Sequence, residues 1–189
     1  GSTLILLKNS SDLQNILDTV KKYNATTLAA VPPTLSKFLK FNENNLKDYF
    51  SDIRLVITNT TKIPIITIQK FKKIISNGNL ATYYGLTEAS RSSFMIFDEH
   101  TSFDQSVGKP APQVNIKIDN KMNKSKIGEI LIKGNNVIEK YWKNIESDKN
   151  IIDGWLRTGD LGYFDDSGYL YLVGRSDDVI NIGGEKVMP

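Results

Sequence analysis

The residues from Tyr84 to Glu88 bring together an aromatic ring, a glycine, a hydroxyl and a carboxylate directly after an apolar segment. An aromatic face suits a flat base, the hydroxyl of Thr87 can bond a phosphate, and the carboxylate of Glu88 can ligate magnesium. Gly85 permits a tight turn or the close approach of a ligand. The same pattern also fits an ordinary strand-to-loop turn with a buried tyrosine and a surface glutamate, so on its own it leaves both interpretations open.

Two further polar segments follow in the second half of the chain. Residues 154–162 read Gly-Trp-Leu-Arg-Thr-Gly-Asp-Leu-Gly and include Asp160, and residues 174–184 read Gly-Arg-Ser-Asp-Asp-Val-Ile-Asn-Ile-Gly-Gly and include Arg175. With Tyr-Gly-Leu-Thr-Glu at residues 84–88, they resemble, in order and approximate spacing, the motifs of the adenylate-forming superfamily. That superfamily includes acyl-CoA synthetases, aryl-CoA ligases, luciferases and peptide-synthetase adenylation domains. The resemblance covers nearly the whole chain.

The resemblance implies a nucleotide-binding role for the first of these segments. Tyr84 would stack on the adenine ring, with Gly85 in the same binding segment. Thr82 stands where relatives often place an asparagine that faces the base. Thr87 would bond the α-phosphate and Glu88 would help to hold magnesium, so these two are the expected catalytic residues.

The later segments would complete the site. Asp160 would accept hydrogen bonds from the ribose hydroxyls, a task that suits the paired acceptor oxygens of a carboxylate. Arg175 would reach the same ribose or the phosphate. Asp177 matches the hinge of the family's C-terminal domain, and Gly183-Gly184 matches a loop near the channel for the thiol. For Asp177 and these glycines, a plain turn or surface role is an equally good interpretation.

The chemistry implied by the resemblance is the ATP-dependent activation of a small-molecule carboxylic acid as an acyl-adenylate, followed by transfer to a thiol. The expected cofactors are ATP or AMP, Mg²⁺ and coenzyme A, with a carrier-protein thiol as the other possible acceptor. The substrate carboxylate attacks the α-phosphorus, so the protein needs no nucleophile of its own. A chain without cysteine, whose only histidine is His100, is compatible with this chemistry. Leu86 favours the CoA ligases over peptide-synthetase-type adenylation domains, which more often carry proline there.

Three features depart from the family's pattern. The phosphate-binding loop that ends in lysine and the C-terminal domain that carries the adenylation lysine have no counterpart in these residues. We therefore expect a central fragment that does not adenylate anything by itself. The segment Thr58–Ile63 also replaces the glycines of the usual adenine-lining segment with larger residues. That replacement leaves a non-catalytic nucleotide-binding or interaction module as an alternative function.

The composition excludes several other classes of protein. Hydrophobic residues make up 40% of the chain and charged residues 24%, which is typical of a globular protein. The net charge is +3, and the lysines near 121–126 lie among Asn and Ser without interleaved aromatic residues, so we expect no nucleic-acid partner. No apolar run approaches the roughly 20 residues of a membrane span. The absence of cysteine is compatible with a cytoplasmic location.

Apolar periodicity predicts how these residues are positioned. In the first part of the chain, short apolar runs alternate with helix-like stretches, which favours an α/β class with a mostly parallel sheet and flanking helices. Asp12 or Ser11 would cap the first helix, and the second of Pro32-Pro33 would open another. The strands are predicted at Thr3–Leu7, Thr27–Val31, Ile53–Thr58 and Leu80–Tyr84, and a later helix at Pro64–Ile75.

The pattern changes at the Gly-Lys-Pro-Ala-Pro sequence of residues 108–112. Beyond it we predict a smaller β-rich, barrel-like subdomain, with a short helix at Val137–Trp142. Its strands are predicted at Val114–Ile118, Ile127–Lys133 and Tyr169–Val173. The predicted domains are residues 1–108 (α/β), 109–175 (β-rich) and 176–189 (the hinge and the start of a further domain).

Overall fold

The computed structural model describes residues 1–9, 11–59, 63–97, 105–120, 126–142, 150–178, 180–182 and 185–187. Within these residues the chain forms four helices and twelve strands, divided between two compact units. The first unit holds residues 1–81 together with Ile96 and Phe97, and the second holds residues 82–95 and those from Gln105 onward. The division at residues 108 and 175 stays a prediction.

The helices all lie in the first unit and begin where the sequence supplies a suitable residue. Asp12 caps the first helix by accepting a hydrogen bond from the backbone N–H of Asn15 at 3.0 Å, and Asn42 caps the third in the same way. The second helix begins at Pro32, so both prolines lie in its first turn. The helices are α1 (Leu13–Lys22), α2 (Pro32–Phe38), α3 (Glu43–Tyr49) and α4 (Ile65–Ile74).

Aromatic side chains from three of these helices and their flanks form the core of the first unit. Phe38 and Phe50 meet edge to face with ring centroids 5.7 Å apart, and Phe50 lies 6.2 Å from Phe71. All three rings are fully buried or nearly so. Because such pairs add to the free energy of burial, they hold the helices together.

A five-stranded sheet has the strands in sequence order, β1-β2-β3-β4-β5. The first two strands pair in parallel, and the last two are antiparallel. The strands are β1 (Thr27–Ala29), β2 (Leu55–Thr58), β3 (Asn79–Tyr84), β4 (Ser93–Phe97) and β5 (Lys109–Pro110).

The second unit contains an antiparallel sheet in the order β10-β9-β7-β6, with β8 also paired to β9. Its strands are β6 (Val114–Asp119), β7 (Gly128–Gly134), β8 (Ile151–Ile152), β9 (Trp155–Phe164) and β10 (Leu170–Arg175). A separate antiparallel pair is formed by β11 (Ile180–Ile182) and β12 (Glu185–Val187). The core of this unit packs Ile130, Ile132, Leu156 and Leu170 against Tyr84 and Ala89.

Two predicted elements are wrong. Thr3–Leu7 lies outside the strands, and Leu4 and Leu6 are each 81% exposed. A strand exists only through its pairing, and an apolar run does not supply a partner strand. Residues 137–142 are not helical, because Val137 instead forms an antiparallel bridge with Ala89.

The other predicted elements are confirmed, and none of their predicted ends differs from the observed end by more than two residues. One helix, α3, and six strands were not predicted: β4, β5, β8, β9, β11 and β12. In the described part of the chain, no helix has the length and apolar character to cross a membrane.

Candidate functional site

The residues that follow β3 form a closed turn that fixes the position of Glu88. The backbone groups of Leu86 and Ala89 exchange two hydrogen bonds of 3.1 and 3.2 Å, and the N–H of Ser92 donates to the carbonyl of Tyr84 at 2.8 Å. A Cβ on residue 85 would lie 2.8 Å from the carbonyl oxygen of Ala89 and closer still to the N–H of residue 91. Any side chain at residue 85 would collide with the backbone of residues 89–91, so the turn requires glycine there.

Asp160 is placed by the alternation of β9. Leu156, Thr158 and Asp160 are buried, whereas Arg157 between them is exposed. The hydroxyl of Thr158 donates to the carbonyl of Ile130 at 2.8 Å and accepts from the N–H of Asp160 at 3.0 Å. This bridge ties the Asp160 backbone to the neighbouring strand β7.

Three residues from distant parts of the sequence meet at the Asp160 carboxylate. The Tyr84 hydroxyl donates to Oδ2 at 2.6 Å, and Nη1 of Arg175 donates to Oδ1 at 3.0 Å. The Asp160 side chain keeps 12% of its surface exposed, and that of Arg175 keeps 45%. We call Tyr84, Asp160 and Arg175 the carboxylate cluster.

Backbone geometry leaves space for the arginine of the carboxylate cluster. Gly159 has a φ of +73°, and a Cβ there would lie 3.0 Å from Nη2 of Arg175. The N–H of Ser176 also donates to the carbonyl of Gly159 at 2.8 Å, which holds the end of β10 beside β9. Glycine at this position thus permits the left-handed backbone conformation and leaves room for the Arg175 guanidinium.

The electrostatics of the cluster act most strongly on the phenol. Burial, followed by the hydrogen bond and the charge of Asp160, raises the pKa of Tyr84 far above its ordinary value of 10.0. The phenol is therefore a permanent donor at physiological pH. A neutral donor and a cation that bond the two oxygens of one carboxylate fix the orientation of that group.

Tyr84 is only 7% exposed, since its ring belongs to the core of the second unit. The stacking of this ring on adenine stays a prediction. Thr82, which is 8% exposed, lies on the same face of β3 because it is two residues away. The contact of Thr82 with a base likewise stays a prediction.

Glu88 and Thr87 lie in the turn itself. Glu88 is half-buried, and one of its oxygens, Oε1, accepts a hydrogen bond of 3.0 Å from the Tyr141 hydroxyl, while Thr87 is exposed. Among the described residues, no group of three or more His, Cys, Asp or Glu side chains could hold a metal ion. A single carboxylate nevertheless fits Mg²⁺, which commonly takes one or two protein carboxylates together with substrate phosphates.

The structure joins Tyr84, Asp160 and Arg175 by direct hydrogen bonds, and it places Thr87 and Glu88 in the turn that follows Tyr84. Sequence reasoning missed Thr158 and Tyr141. The position of Thr158, two residues before Asp160 on an alternating segment, could have identified it. No sequence signal connects Tyr141 with Glu88, because 53 residues separate them.

Some of the residues that were named from the sequence cannot be compared with the structure. Residues 60–62, His100 and Gly183-Gly184 are outside the described residues. Asp177 is within them, with a side chain 80% exposed and 3.9 Å from Nη2 of Arg175. Its role as a hinge stays a prediction.

Comparison with known proteins matches the sequence of this chain to one family. A family model described as AMP-binding enzyme matches residues 1–142. The oxalate–CoA ligase of Arabidopsis thaliana is 34% identical over 176 residues, which cover 90% of this chain and 34% of that protein. The long-chain-fatty-acid–CoA ligase of Bacillus subtilis is 31% identical over 195 residues, covering 100% of this chain and 34% of that protein. The chain thus spans about a third of the length of these relatives.

Solved structures confirm the fold. The o-succinylbenzoate coenzyme A synthetase of Bacillus subtilis, in complex with ATP and magnesium ion, superposes with a TM-score of 0.81 at 26% sequence identity. The match covers 94% of this chain and 37% of that one. The α/β class with a following β-rich sheet, expected from the sequence, is therefore confirmed. The chain belongs to the family of AMP-binding enzymes.

Proposed function

We propose that the chain is the nucleotide-binding part of an AMP-forming acid–thiol ligase. The whole protein would activate a carboxylic acid with ATP as an acyl-adenylate and then pass the acyl group to coenzyme A. Coenzyme A is proposed as the acceptor, rather than a carrier protein, because the relatives named above are CoA ligases. A chain without cysteine that uses ATP and coenzyme A would act in the cytoplasm.

The observation that carries this proposal is the carboxylate cluster. Tyr84 lies 76 positions and Arg175 lies 15 positions from Asp160 in the sequence, yet both bond the Asp160 carboxylate. Each carboxylate oxygen has a second acceptor position, and the 12% exposure of the Asp160 side chain leaves an approach for ribose hydroxyls. The residues present therefore fit a ribose, with Asp160 as the acceptor and the half-exposed Arg175 beside it.

We propose that Glu88 and Thr87 serve the phosphate end of the nucleotide. The exposed hydroxyl of Thr87 would donate to an α-phosphate oxygen, and Glu88 would supply a carboxylate to magnesium. When bound there, magnesium would neutralise charge on the phosphates as a Lewis acid. The turn closed by Leu86 and Ala89 would keep both side chains in place without a conformational change.

In the proposed reaction, an oxygen of the acid attacks the α-phosphorus and pyrophosphate leaves. The sulfur of the thiol then attacks the acyl carbon, and AMP leaves. The residues of this chain would orient the reactants and stabilise the developing charge. Because the relatives are about three times as long, we propose that these 189 residues bind the nucleotide without completing the reaction.

A second candidate function is a non-catalytic interaction module. The burial of Tyr84 favours it, because a ring that is 7% exposed offers little surface to an adenine base. An interaction module would not respond to AMP, whereas the proposed ligase part would bind it.

Calorimetric titration with AMP distinguishes the two candidates. Asp160→Asn removes the charge but keeps the size and one acceptor oxygen, and Asp166→Asn is the matched control because the Asp166 side chain is 99% exposed. Hydrogen bonds to charged groups contribute about 1.5–3 kcal/mol, so we expect Asp160→Asn to weaken AMP binding roughly tenfold to a hundredfold. The control should bind like the wild type. Loss of discrimination between AMP and its 2′-deoxy form should accompany the Asp160 change.

A flat titration of the wild-type chain would overturn the proposed function and favour the interaction module. Equal AMP affinity in wild type and Asp160→Asn would show that the nucleotide binds elsewhere. Melting curves of both variants establish that the chain is folded in each measurement.

A further inference from the structure

The segment that follows β7 runs antiparallel beside the turn that carries Glu88. Val137 forms an isolated bridge with Ala89, and the N–H of Ile138 donates to the carbonyl of Glu88 at 2.9 Å. The backbone of Glu88 therefore has a fixed hydrogen-bonding partner outside its own turn.

Asn136 strengthens the same contact one residue earlier. Its Nδ2 donates to the carbonyl of Ser90 and to the hydroxyl of Ser92, both at 3.0 Å. A Cβ on Gly134 would lie 2.8 Å from Oδ1 of Asn136, so the glycine leaves room for this side chain. We call residues 134–141 the clamp, since they contact the turn through backbone and side chains.

The clamp ends at the side chain of Glu88. Tyr141 is half-buried, and its hydroxyl donates to Oε1 of Glu88 at 3.0 Å. The clamp thus holds both the backbone carbonyl and the carboxylate of one residue. A segment that served only to pack against the turn would not need the hydrogen bond from Tyr141 to the Glu88 carboxylate.

The physical effect of this contact is to restrict a long, flexible side chain. A free glutamate loses rotamer entropy when it is fixed by a ligand. A tyrosine has only two side-chain torsions, so its hydroxyl is a comparatively rigid donor. A ligating carboxylate that is already hydrogen-bonded is oriented before the metal arrives.

We infer that Tyr141 is a positioning residue for Glu88 and thereby sets the affinity for magnesium–ATP. The inference rests on the proposed function, because it takes Glu88 as the magnesium-holding carboxylate. In this role Tyr141 is assigned no contact with the metal or the nucleotide. It acts by holding one oxygen of Glu88.

The test compares Tyr141→Phe with the wild type in the 189-residue chain. Tyr23→Phe is the matched control, since Tyr23 is 54% exposed and lies in the first unit. Calorimetry measures AMP binding without metal and ATP binding with and without Mn²⁺. The three-bond couplings of the Glu88 side chain, measured by NMR without ligand, report how firmly its rotamer is fixed.

We expect Tyr141→Phe to weaken the Mn²⁺-dependent part of ATP binding roughly tenfold, as other hydrogen-bonding partners of metal ligands do. Its AMP affinity should stay unchanged, and the Glu88 couplings should become rotamer-averaged. In the Glu88→Gln background, Tyr141→Phe should have no further effect on Mn²⁺-dependent binding. The control should match the wild type throughout.

Other outcomes separate the two proposals. If the wild type binds AMP but Tyr141→Phe leaves both the Mn²⁺ dependence and the Glu88 couplings unchanged, the positioning role is wrong while the proposed function stands. An equal loss of AMP and ATP binding would show that Tyr141 is merely structural. If the wild type does not bind AMP, the proposed function fails and the inference fails with it.

Discussion

Replacing Tyr84 with phenylalanine removes one hydroxyl from the centre of the carboxylate cluster and leaves the ring in the core. The lost bond is the 2.6 Å contact with Oδ2 of Asp160, whose side chain is 12% exposed. A hydrogen bond to a charged group contributes about 1.5–3 kcal/mol, and a buried oxygen deprived of its donor adds a desolvation cost. We therefore expect Tyr84→Phe to lower the free energy of unfolding by about 2 kcal/mol near neutral pH.

The same substitution should change how stability depends on alkaline pH. The pKa of Tyr84 is raised in the folded protein, chiefly by burial, so the folded state keeps this proton when the unfolded state loses it above the ordinary value of 10.0. The unfolded state then binds fewer protons, and stability falls as pH rises. At about pH 11 the loss from this one group is about 1.4 kcal/mol. Phenylalanine cannot titrate, so the variant lacks this contribution.

Urea unfolding followed by tryptophan fluorescence measures both effects. The chain has two tryptophans, Trp142 and Trp155, and both lie in the same unit as Tyr84. The stability difference between wild type and Tyr84→Phe should shrink from neutral pH to about pH 11. The other tyrosines titrate in both proteins and cancel in the comparison.

Tyr23→Phe again serves as the control and should reproduce the wild-type stability at both pH values. A difference between wild type and Tyr84→Phe that stays constant with pH would refute the assignment of a raised pKa to Tyr84. A substitution without any effect on stability would refute the hydrogen bond to Asp160 itself.

Two further predictions concern glycines in the second unit. Gly85→Ala should lower the free energy of unfolding by about 1–3 kcal/mol and weaken AMP binding, because the new Cβ would meet the backbone of Ala89 and Arg91. Thermal melting measures the first effect and calorimetry the second. Gly154→Ala should lower the free energy of unfolding by about 1 kcal/mol and leave AMP binding unchanged. Its φ is +76°, but its Cβ would meet only the flexible Lys133 side chain, so a loss above that of Gly85→Ala would contradict this assignment.

Local signals account for the part of the fold that the sequence predicted. Asp12 caps α1, and the apolar spacing of Ile16, Leu17 and Val20 gives its buried face. The proline pair opens α2, although the helix begins at Pro32 and not at the predicted Pro33. These features depend on neighbours within one or two turns, so they can be recognised without knowledge of the fold. The turn at Asp153-Gly154, with φ values of +53° and +76°, carries an equally local signal for the β8–β9 hairpin that was overlooked.

Non-local pairing explains what the sequence did not predict. Residues 137–142 contain enough apolar side chains for a helix, yet their backbone pairs with the turn after β3, which lies more than 45 residues earlier. The contact between Tyr141 and Glu88 exists only through that pairing. The members of the carboxylate cluster were named in advance, but only because the resemblance to a family supplied their roles. Spacing along the chain gives no reason for Tyr84 to meet Asp160.

The alternation along β9 also limits how this part of the protein can change in length. Leu156, Thr158 and Asp160 share one side of the strand, and Arg157 lies on the other. Insertion of a single residue before Leu156 within the paired region would shift every later side chain of β9 to the opposite side. The carboxylate of Asp160 would then be exposed, and the guanidinium of Arg157 would be buried. Natural variants of this chain should therefore gain or lose residues at the turns 153–154 and 165–168, and should keep the number of residues between those turns constant.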